Sequence, residues 1–500
     1  MKTLSERFDA ERMAYLLPAM GGAFIALIAV VILRYPYVWA GLITIGIAVF
    51  VFSLAAKDFR NYWLGVFALV LPLDIRKALF GSDQIRALEV IYGFPLGELP
   101  SPILYLSDLP FLVLMVQWFF QVIFRKQKIF FPKSNWIALA FIIWSGISLT
   151  NATAFSYGFF DLMRLVKFYL QYLYVANNIR SKATVKILIR FLLIGMIFQG
   201  LICLDNYKAQ RIGHIFGNLF GQQAFSEEDV KKYEQFFSVG QEGGGRLRAS
   251  GTAGPINAQA QYFELLIPIA FSLWLTMIPF GRSSFDFACL IFGLTGLILT
   301  FSRGGFIGLA GGLIAVLILS RWVQLISNKK FLTFFLIGIG LCITVTPLVY
   351  TYIMVRPEAT LARIDLNKVG LEMIKAHPII GVGLNNHMVE KPKYDPKDYI
   401  IPMPTHNRYL LIASEVGIPG LLFFLGFLWL TLKTTLRAAR TEDRYLASVA
   451  LGILGAFVAT LLHYLIDHLT FHTPLTMVWL YAGLVAALVE LRANPSEKVS

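Results

Sequence analysis

Five places in the sequence hold side chains whose type and spacing suit chemistry. Thr405-His406-Asn407-Arg408-Tyr409 opens a long apolar run, and Glu415, Gly417 and Gly420 follow. A neutral imidazole at such a boundary can accept a proton near pH 7. A lone histidine is more often structural than catalytic, so its company decides. Arg303 stands in Leu299-Thr300-Phe301-Ser302-Arg303-Gly304-Gly305, between two apolar runs. Its planar fork suits phosphate oxygens, and the glycines leave room for them. The competing role is an anchor that snorkels to lipid phosphate. Gly243-Gly244-Gly245 and then Arg246-Leu247-Arg248 either let the backbone approach an anionic group closely or form a flexible hinge with two solvated cations. Asp161, Arg164 and Lys167 recur at i, i+3, i+6. Asp161 and Arg164 can pair along a helix; Lys167, one turn deeper, faces the bundle interior as a structural pair or as a ligand contact. The fifth place is His468-x3-His472 beside Asp467. Its spacing is zinc-like, but no thiol or His-Glu motif completes a site. A histidine pair at the membrane rim is expected, and no metal.

The elements that position these residues must be membrane helices. The chain has 500 residues, 57% of them apolar and 15% charged, where soluble domains carry about 25% charged residues. Its mean hydropathy is +0.65. No water-soluble particle of this size hides so much apolar surface, so the solvent is largely lipid. A disordered chain, a collagen and a disulfide-rich secreted module are excluded. Cys203, Cys289 and Cys342 are isolated thiols in apolar runs and read as inert packing. A spanning helix needs about 20 mostly apolar residues. Fourteen stretches come close, at 13–33, 38–55, 61–73, 105–124, 135–150, 161–178, 187–204, 258–280, 286–301, 304–320, 331–349, 409–432, 446–463 and 475–491. The fold class expected is an all-α integral membrane protein, a polytopic bundle of about 12–14 transmembrane helices with two long, partly helical extracytoplasmic loops. It divides into N-terminal helices over 1–204, a loop over 205–257, helices over 258–349 around the Ser-Arg-Gly turn, a large loop over 350–405 and C-terminal helices over 406–500.

Basic residues set the orientation. With the N-terminus inside and the spans alternating, the inner segments hold 22 Lys and Arg, and the short outer links 34–37, 151–160 and 464–474 hold only Arg34. That asymmetry places both termini in the cytoplasm. The net charge of +14 is then a loop bias rather than a nucleic-acid surface. In the outer loop over 350–405, segment 361–376 reads as an amphipathic helix lying on the membrane surface. Its apolar side is expected to be Leu361, Ile364, Met373 and Ala376. No internal repeat of fixed period supports an inverted-repeat transporter.

His406-Asn407, nine residues, Gly417, two residues and Gly420 resemble the His-Asn-x9-Gly-x-x-Gly signature of the bacterial O-antigen ligase family. Thr300-Phe301-Ser302-Arg303-Gly304, Pro378-Ile379-Ile380-Gly381-Val382-Gly383, and Arg248-Ala249-Ser250-Gly251 with Asn257 resemble three further segments of that family, in its order. The family includes O-antigen and exopolysaccharide polymerases and protein O-oligosaccharyltransferases. The resemblance implies a metal-independent glycosyltransferase of the bacterial inner membrane, without a cofactor. Its donor would be a saccharide on undecaprenyl pyrophosphate at the outer face. Its acceptor would be a sugar hydroxyl, on lipid A-core for a ligase or on a growing chain for a polymerase. Arg303, Arg248 and Arg246 would hold the pyrophosphate, and His406 would be the base. Asn407, Lys167 and Arg164 would orient or bind substrate. Attack opposite the pyrophosphate would invert the anomeric centre. The alternative is a flippase for the same lipid-linked sugar, which would spread charge along a central path through many spans.

The orientation is testable by fused reporters. Fusions at Arg180, Ser327 and Ser500 are expected to report the cytoplasm, and fusions at Gly221 and Pro396 the opposite side. A cytoplasmic signal at Pro396 would put His406 on the wrong side of the membrane for this chemistry.

Overall fold

The computed structural model describes residues 38–79, 102–209, 238–239, 246–277, 284–354, 357–395 and 403–493. The apolar run 13–33 and the Gly243-Gly244-Gly245 run lie outside them. Each of the other thirteen apolar stretches is a helix. In lipid every backbone polar group must be satisfied within the chain, and a helix does this with local bonds alone. In chain order the helices are α1 (Val38–Ala55), α2 (Phe59–Val70), α3 (Asp108–Phe124), α4 (Ser134–Ser148), α5 (Phe155–Asn178), α6 (Lys182–Ala209), α7 (Ile256–Met277), α8 (Ser284–Thr300), α9 (Arg303–Trp322), α10 (Asn328–Met354), α11 (Pro357–Ala376), α12 (His387–Tyr394), α13 (Arg408–Ala438), α14 (Arg444–His463) and α15 (His472–Ala493). Among the described residues, strands are confined to two short antiparallel ribbons, β1 (Arg76–Ala78) with β2 (Ile103–Tyr105) and β3 (Ser238–Val239) with β4 (Arg246–Leu247). The protein is an all-α, multi-pass membrane protein. Six of the described helices, α6, α7, α9, α13, α14 and α15, each qualify as a span by length and composition.

Polar side chains mark where helices start. Ser302 caps α9 by accepting from the Gly305 amide at 3.3 Å. Asn407 caps α13 through the amides of Tyr409 and Leu410 at 2.9 and 3.1 Å. Asp443 caps α14 through Tyr445 and Leu446 at 3.0 and 3.1 Å. Each cap satisfies donors that would otherwise be orphaned at a helix end.

Helix α7 is the centre of the bundle. It is buried from Ala258 to Ala270 without a break and packs on α8, α9, α14 and α15. The α9–α14 contact is a seam of small residues. Gly304, Gly308 and Gly312 recur every fourth residue on α9 and face His463, Ala459 and Gly455 on α14. Small residues let the two backbones approach closely, which is what holds helices together when lipid is as apolar as they are.

The helix expected at 361–376 is present as α11, but its buried side differs from expectation. Leu361 and Ile364 are exposed, while Leu366, Val369 and Met373 are buried, and Val369 and Met373 pack with Val382 and Tyr394. Spaced i, i+3, i+7, these three share one helical face. They meet protein, so α11 is docked on the bundle by that face.

A β-carbon added at Gly312 would lie 2.5 Å from the Gly455 carbonyl oxygen. Gly312→Val is therefore expected to force α9 and α14 apart and to cost about 1–3 kcal/mol. A thermal-unfolding assay of the detergent-purified protein checks this; an unchanged midpoint would show that the seam yields freely.

Candidate functional site

The ends of α7, α8, α9, α13 and α14 meet at one end of the bundle, and the polar residues there form a continuous network. The turn between α8 and α9 is tight. Thr300 Oγ1 donates to the Leu297 carbonyl at 2.6 Å, Phe301 takes a positive φ of 49°, and Ser302 caps α9. Arg303 opens that helix. The segment before α7 runs beside the turn, with the Ala249 amide donating to the Leu299 carbonyl at 2.9 Å. Arg248 donates through Nε to the Thr300 carbonyl at 2.8 Å and through Nη2 to Asn257 Oδ1 at 3.2 Å. Ser302 Oγ donates to the same oxygen at 3.3 Å. Two of the sequence motifs are thereby joined.

Asn257 carries the network onward. Its Nδ2 donates to Asp467 Oδ2 at 2.6 Å. Asp467 Oδ1 accepts from the His468 amide at 2.8 Å and lies 2.9 Å from His468 Nδ1. Arg363, on α11, stands 4.0 Å from Asp467. Asp467 is only 2% exposed. Burial opposes its charge, but the hydrogen bond from His468 and the nearby His406, His468 and Arg363 hold its carboxyl well below the usual range.

His406 completes the cluster. Its ring centre lies 5.3 Å from that of His468. Nδ1 is 3.0 Å from the Pro404 carbonyl oxygen, which can only accept. Nδ1 therefore carries the proton and Nε2 holds the lone pair. Burial lowers the pKa of His406 to about 4, with the Asp467 carboxylate opposing the fall. The imidazole is neutral at pH 7 and can take a proton there. His406, Asp467 and His468 bring one ligand atom each to within 4.8 Å of the others. Such a set could hold a divalent ion, but Arg363 and Arg248 border it, and their charge suits an anion better.

The remaining sequence candidates fall as follows. Asn407 caps α13 and donates to the Leu465 carbonyl at 3.0 Å. With the Arg408 amide on the Tyr464 carbonyl at 2.9 Å, it ties the segment holding His406 to the linker holding Asp467. Lys167 is paired with Asp108 at 2.9 Å. Arg164 is paired with Asp161 and donates to the Thr470 carbonyl at 3.4 Å, two residues beyond His468. Arg246 lies in β4, and its side chain is outside what the structure describes. The expected His468–His472 pair is split. His468 joins His406, while His472 stacks on Tyr105 with ring centres 3.5 Å apart and meets Ser107 Oγ at 3.3 Å.

The Pro378–Gly383 motif supports the site from below. The Val382 and Gly383 amides donate to the Ser414 and Glu415 carbonyls, both at 2.9 Å, and the Ile418 amide donates to the Pro378 carbonyl at 2.8 Å. These bonds occupy a break in α13 at Gly417, where φ is +73° and ψ 176°. The kink aims the start of α13, and so His406, at the cluster.

Residues 288–425 match the family model of the O-antigen ligases. The span contains the Ser302-Arg303 turn, Pro378–Gly383 and the His406–Gly420 signature, and it bears out the resemblance read from those motifs. Arg248 and Asn257 precede it, and Asp467 follows it. No curated protein matches the chain. His406, Arg303, Arg248 and Asn257 stand out in the sequence, whereas Asp467 stands out only as a neighbour of His468 and Arg363 does not stand out. The signal for Asp467 was weak: one acid in a short link between two apolar runs.

The kink supplies a test of how the matched segment aims its histidine. A β-carbon at Gly417 would collide with the Ile379 carbonyl, and its backbone conformation is open to glycine alone. Gly417→Ala is expected to cost about 1–3 kcal/mol in strain and to misplace His406. Reduced thermal stability together with lost transfer activity checks it; wild-type values for both would refute it.

Proposed function

We propose that the protein transfers a saccharide from undecaprenyl pyrophosphate to an acceptor sugar hydroxyl, at the outer face of the bacterial inner membrane with both termini in the cytoplasm. The family match supports a glycosyltransferase of the O-antigen ligase and polymerase kind. The observation that carries the finer reading is the neutral His406 imidazole, with Nδ1 held by Pro404, in one network with Asp467, Arg248 and the Arg303 turn.

In this reading the acceptor hydroxyl meets Nε2 of His406 and gives up its proton during attack. The hydroxyl oxygen bonds to the anomeric carbon from the face opposite the pyrophosphate, and the carbon–oxygen bond to the pyrophosphate breaks. Configuration inverts. The proton ends on His406 beside Asp467, whose carboxylate stabilises the new imidazolium. The negative charge ends on the pyrophosphate, where Arg303 and Arg248 meet it. No step calls on a metal. Positioned base catalysis of this kind contributes typically 10²–10⁴-fold. The acceptor is lipid A-core for a ligase or a growing glycan for a polymerase. A flippase would need charge along a central path; this network is instead gathered at helix ends, which supports chemistry at one face.

The test uses purified enzyme, a radiolabelled lipid-linked donor and a core-lipid or glycan acceptor. His406→Gln, which keeps a polar side chain and loses the base, is expected to lower kcat at least 100-fold while donor binding holds. The pH profile gives a second check. A base must be deprotonated, so kcat/KM of the wild type should stay level below pH 6.5 and fall only as pH drops through about 4. In Asp467→Asn the anion that raises the His406 pKa is gone, so that acid limb should move to still lower pH while kcat falls. Full activity of His406→Gln would send the search for the base elsewhere.

A further inference from the structure

A second buried polar pair lies beside the α8–α9 turn, and the mechanism above does not use it. Glu264 on α7 and His463 at the end of α14 are 0% and 1% exposed, with Oε1 and Nδ1 2.9 Å apart. Neither atom completes an aligned hydrogen bond, and Glu264 Oε2 and the nearby Thr460 hydroxyl have no partner among the described residues. Burying such groups is costly, and a bundle interior could be filled more cheaply with leucine. The surroundings show what the pair does. The His463 ring fills the notch left by Gly304, where an added β-carbon would collide with Cδ2 and Nε2. The carboxylate fills the next two notches. A β-carbon at Gly305 would lie 3.1 Å from Oε1, and one at Gly308 would lie 3.0 Å from Oε2. These three glycines are the first turns of α9, directly after Arg303. The carboxylate thus sits against a helix N-terminus, the end that favours negative charge. The same His463 accepts the Ile466 and Asp467 amides on its carbonyl, both at 3.0 Å.

We propose that Glu264 and His463 are positioning residues for Arg303. The carboxylate holds the imidazole, the imidazole and carboxylate together seat the glycine turn of α9, and the seated turn aims the guanidinium at the leaving pyrophosphate. A glycine-lined turn is otherwise free to shift, and a shift of about 1 Å in a charge-stabilising group can cost 10²-fold in rate. The inference rests on the glycosyl-transfer reading for the role of Arg303.

A double-mutant cycle tests it, read as kcat/KM for transfer and as binding of undecaprenyl pyrophosphate to the purified full-length protein. Glu264→Leu keeps the volume and removes the hold on His463. It is expected to lower kcat/KM about tenfold in the wild-type background and less than twofold in an Arg303→Ala background, because its effect passes through Arg303. Glu264→Gln, which still offers an oxygen to Nδ1, should retain most of the activity. Equal losses in both backgrounds, or no loss in either, would overturn the proposal. Should Glu264→Leu fail to insert, His463→Gln is carried through the same cycle; failure of both to fold would show a purely structural pair and also overturn it. A wild-type protein that neither transfers glycan nor binds undecaprenyl pyrophosphate would instead overturn the functional reading itself.

Discussion

A carboxylate shut away from water stays ionised only where donors surround it, and Asp467 is such a group. Its donors come from separate parts of the chain: Asn257 at the start of α7, His468 in the α14–α15 link, and Arg363 nearby on α11. Satisfying one buried anion therefore pulls three regions to a single point. Asn257 brings the rest, because its carbonyl oxygen is already shared by Arg248 and Ser302. The positions of the cations and of the imidazole follow from that one charge. Removing it would leave several donors facing nothing, which costs more than the bond itself.

Such a junction is useful only if its parts do not move against one another. The α14–α15 link and the first turn of α15 are pinned. Thr470 receives Arg164, His472 is stacked on Tyr105, and Thr473 donates to the Leu71 carbonyl at 3.0 Å. Lys167 and Arg164 act in this frame through their pairs with Asp108 and Asp161. Below the junction, the glycine seam fixes α9 on α14, and the interlocked carbonyls at Gly381 and Gly417 fix the angle of α13. Segments pinned between helix ends, rather than free loops, hold the groups that matter.

Much of this could be read from the sequence, and the boundary is physical. Helices were legible because lipid imposes length and apolarity on every span; all the apolar stretches within the described residues became helices. Arg303 is legible because it interrupts an apolar pattern, His406 because it opens an apolar run inside a motif, and Arg248 because it follows a glycine run. What remained hidden was pairing across the chain. Asn257 and Asp467 are 210 residues apart yet share a 2.6 Å bond, and no local spacing announces it. Glu264 stands as a lone acid in the sequence of α7, and its meaning depends on His463 and on three glycines of another helix. The face of α11 was misjudged for a related reason: hydropathy selects apolar residues, but only packing says which of them meet protein.

The burial of His406 sets two demands against each other. A pKa lowered to about 4 keeps the base free of protons at neutral pH. It also makes proton uptake harder by about 3 kcal/mol than in water. A buried base alone would be a poor one. Asp467 eases the conflict, because without its carboxylate the pKa would lie lower still. In the proposed reaction Nε2 would gain its proton as the pyrophosphate gains its negative charge, and each charge would arise next to a fixed opposite one. In a medium of low dielectric those contacts are worth more than in water and need no solvent to reorganise. The arrangement thus lowers the cost of the charge-separated state. A single exposed histidine could not do this, which is why the base belongs at a closed helix junction rather than on a mobile loop.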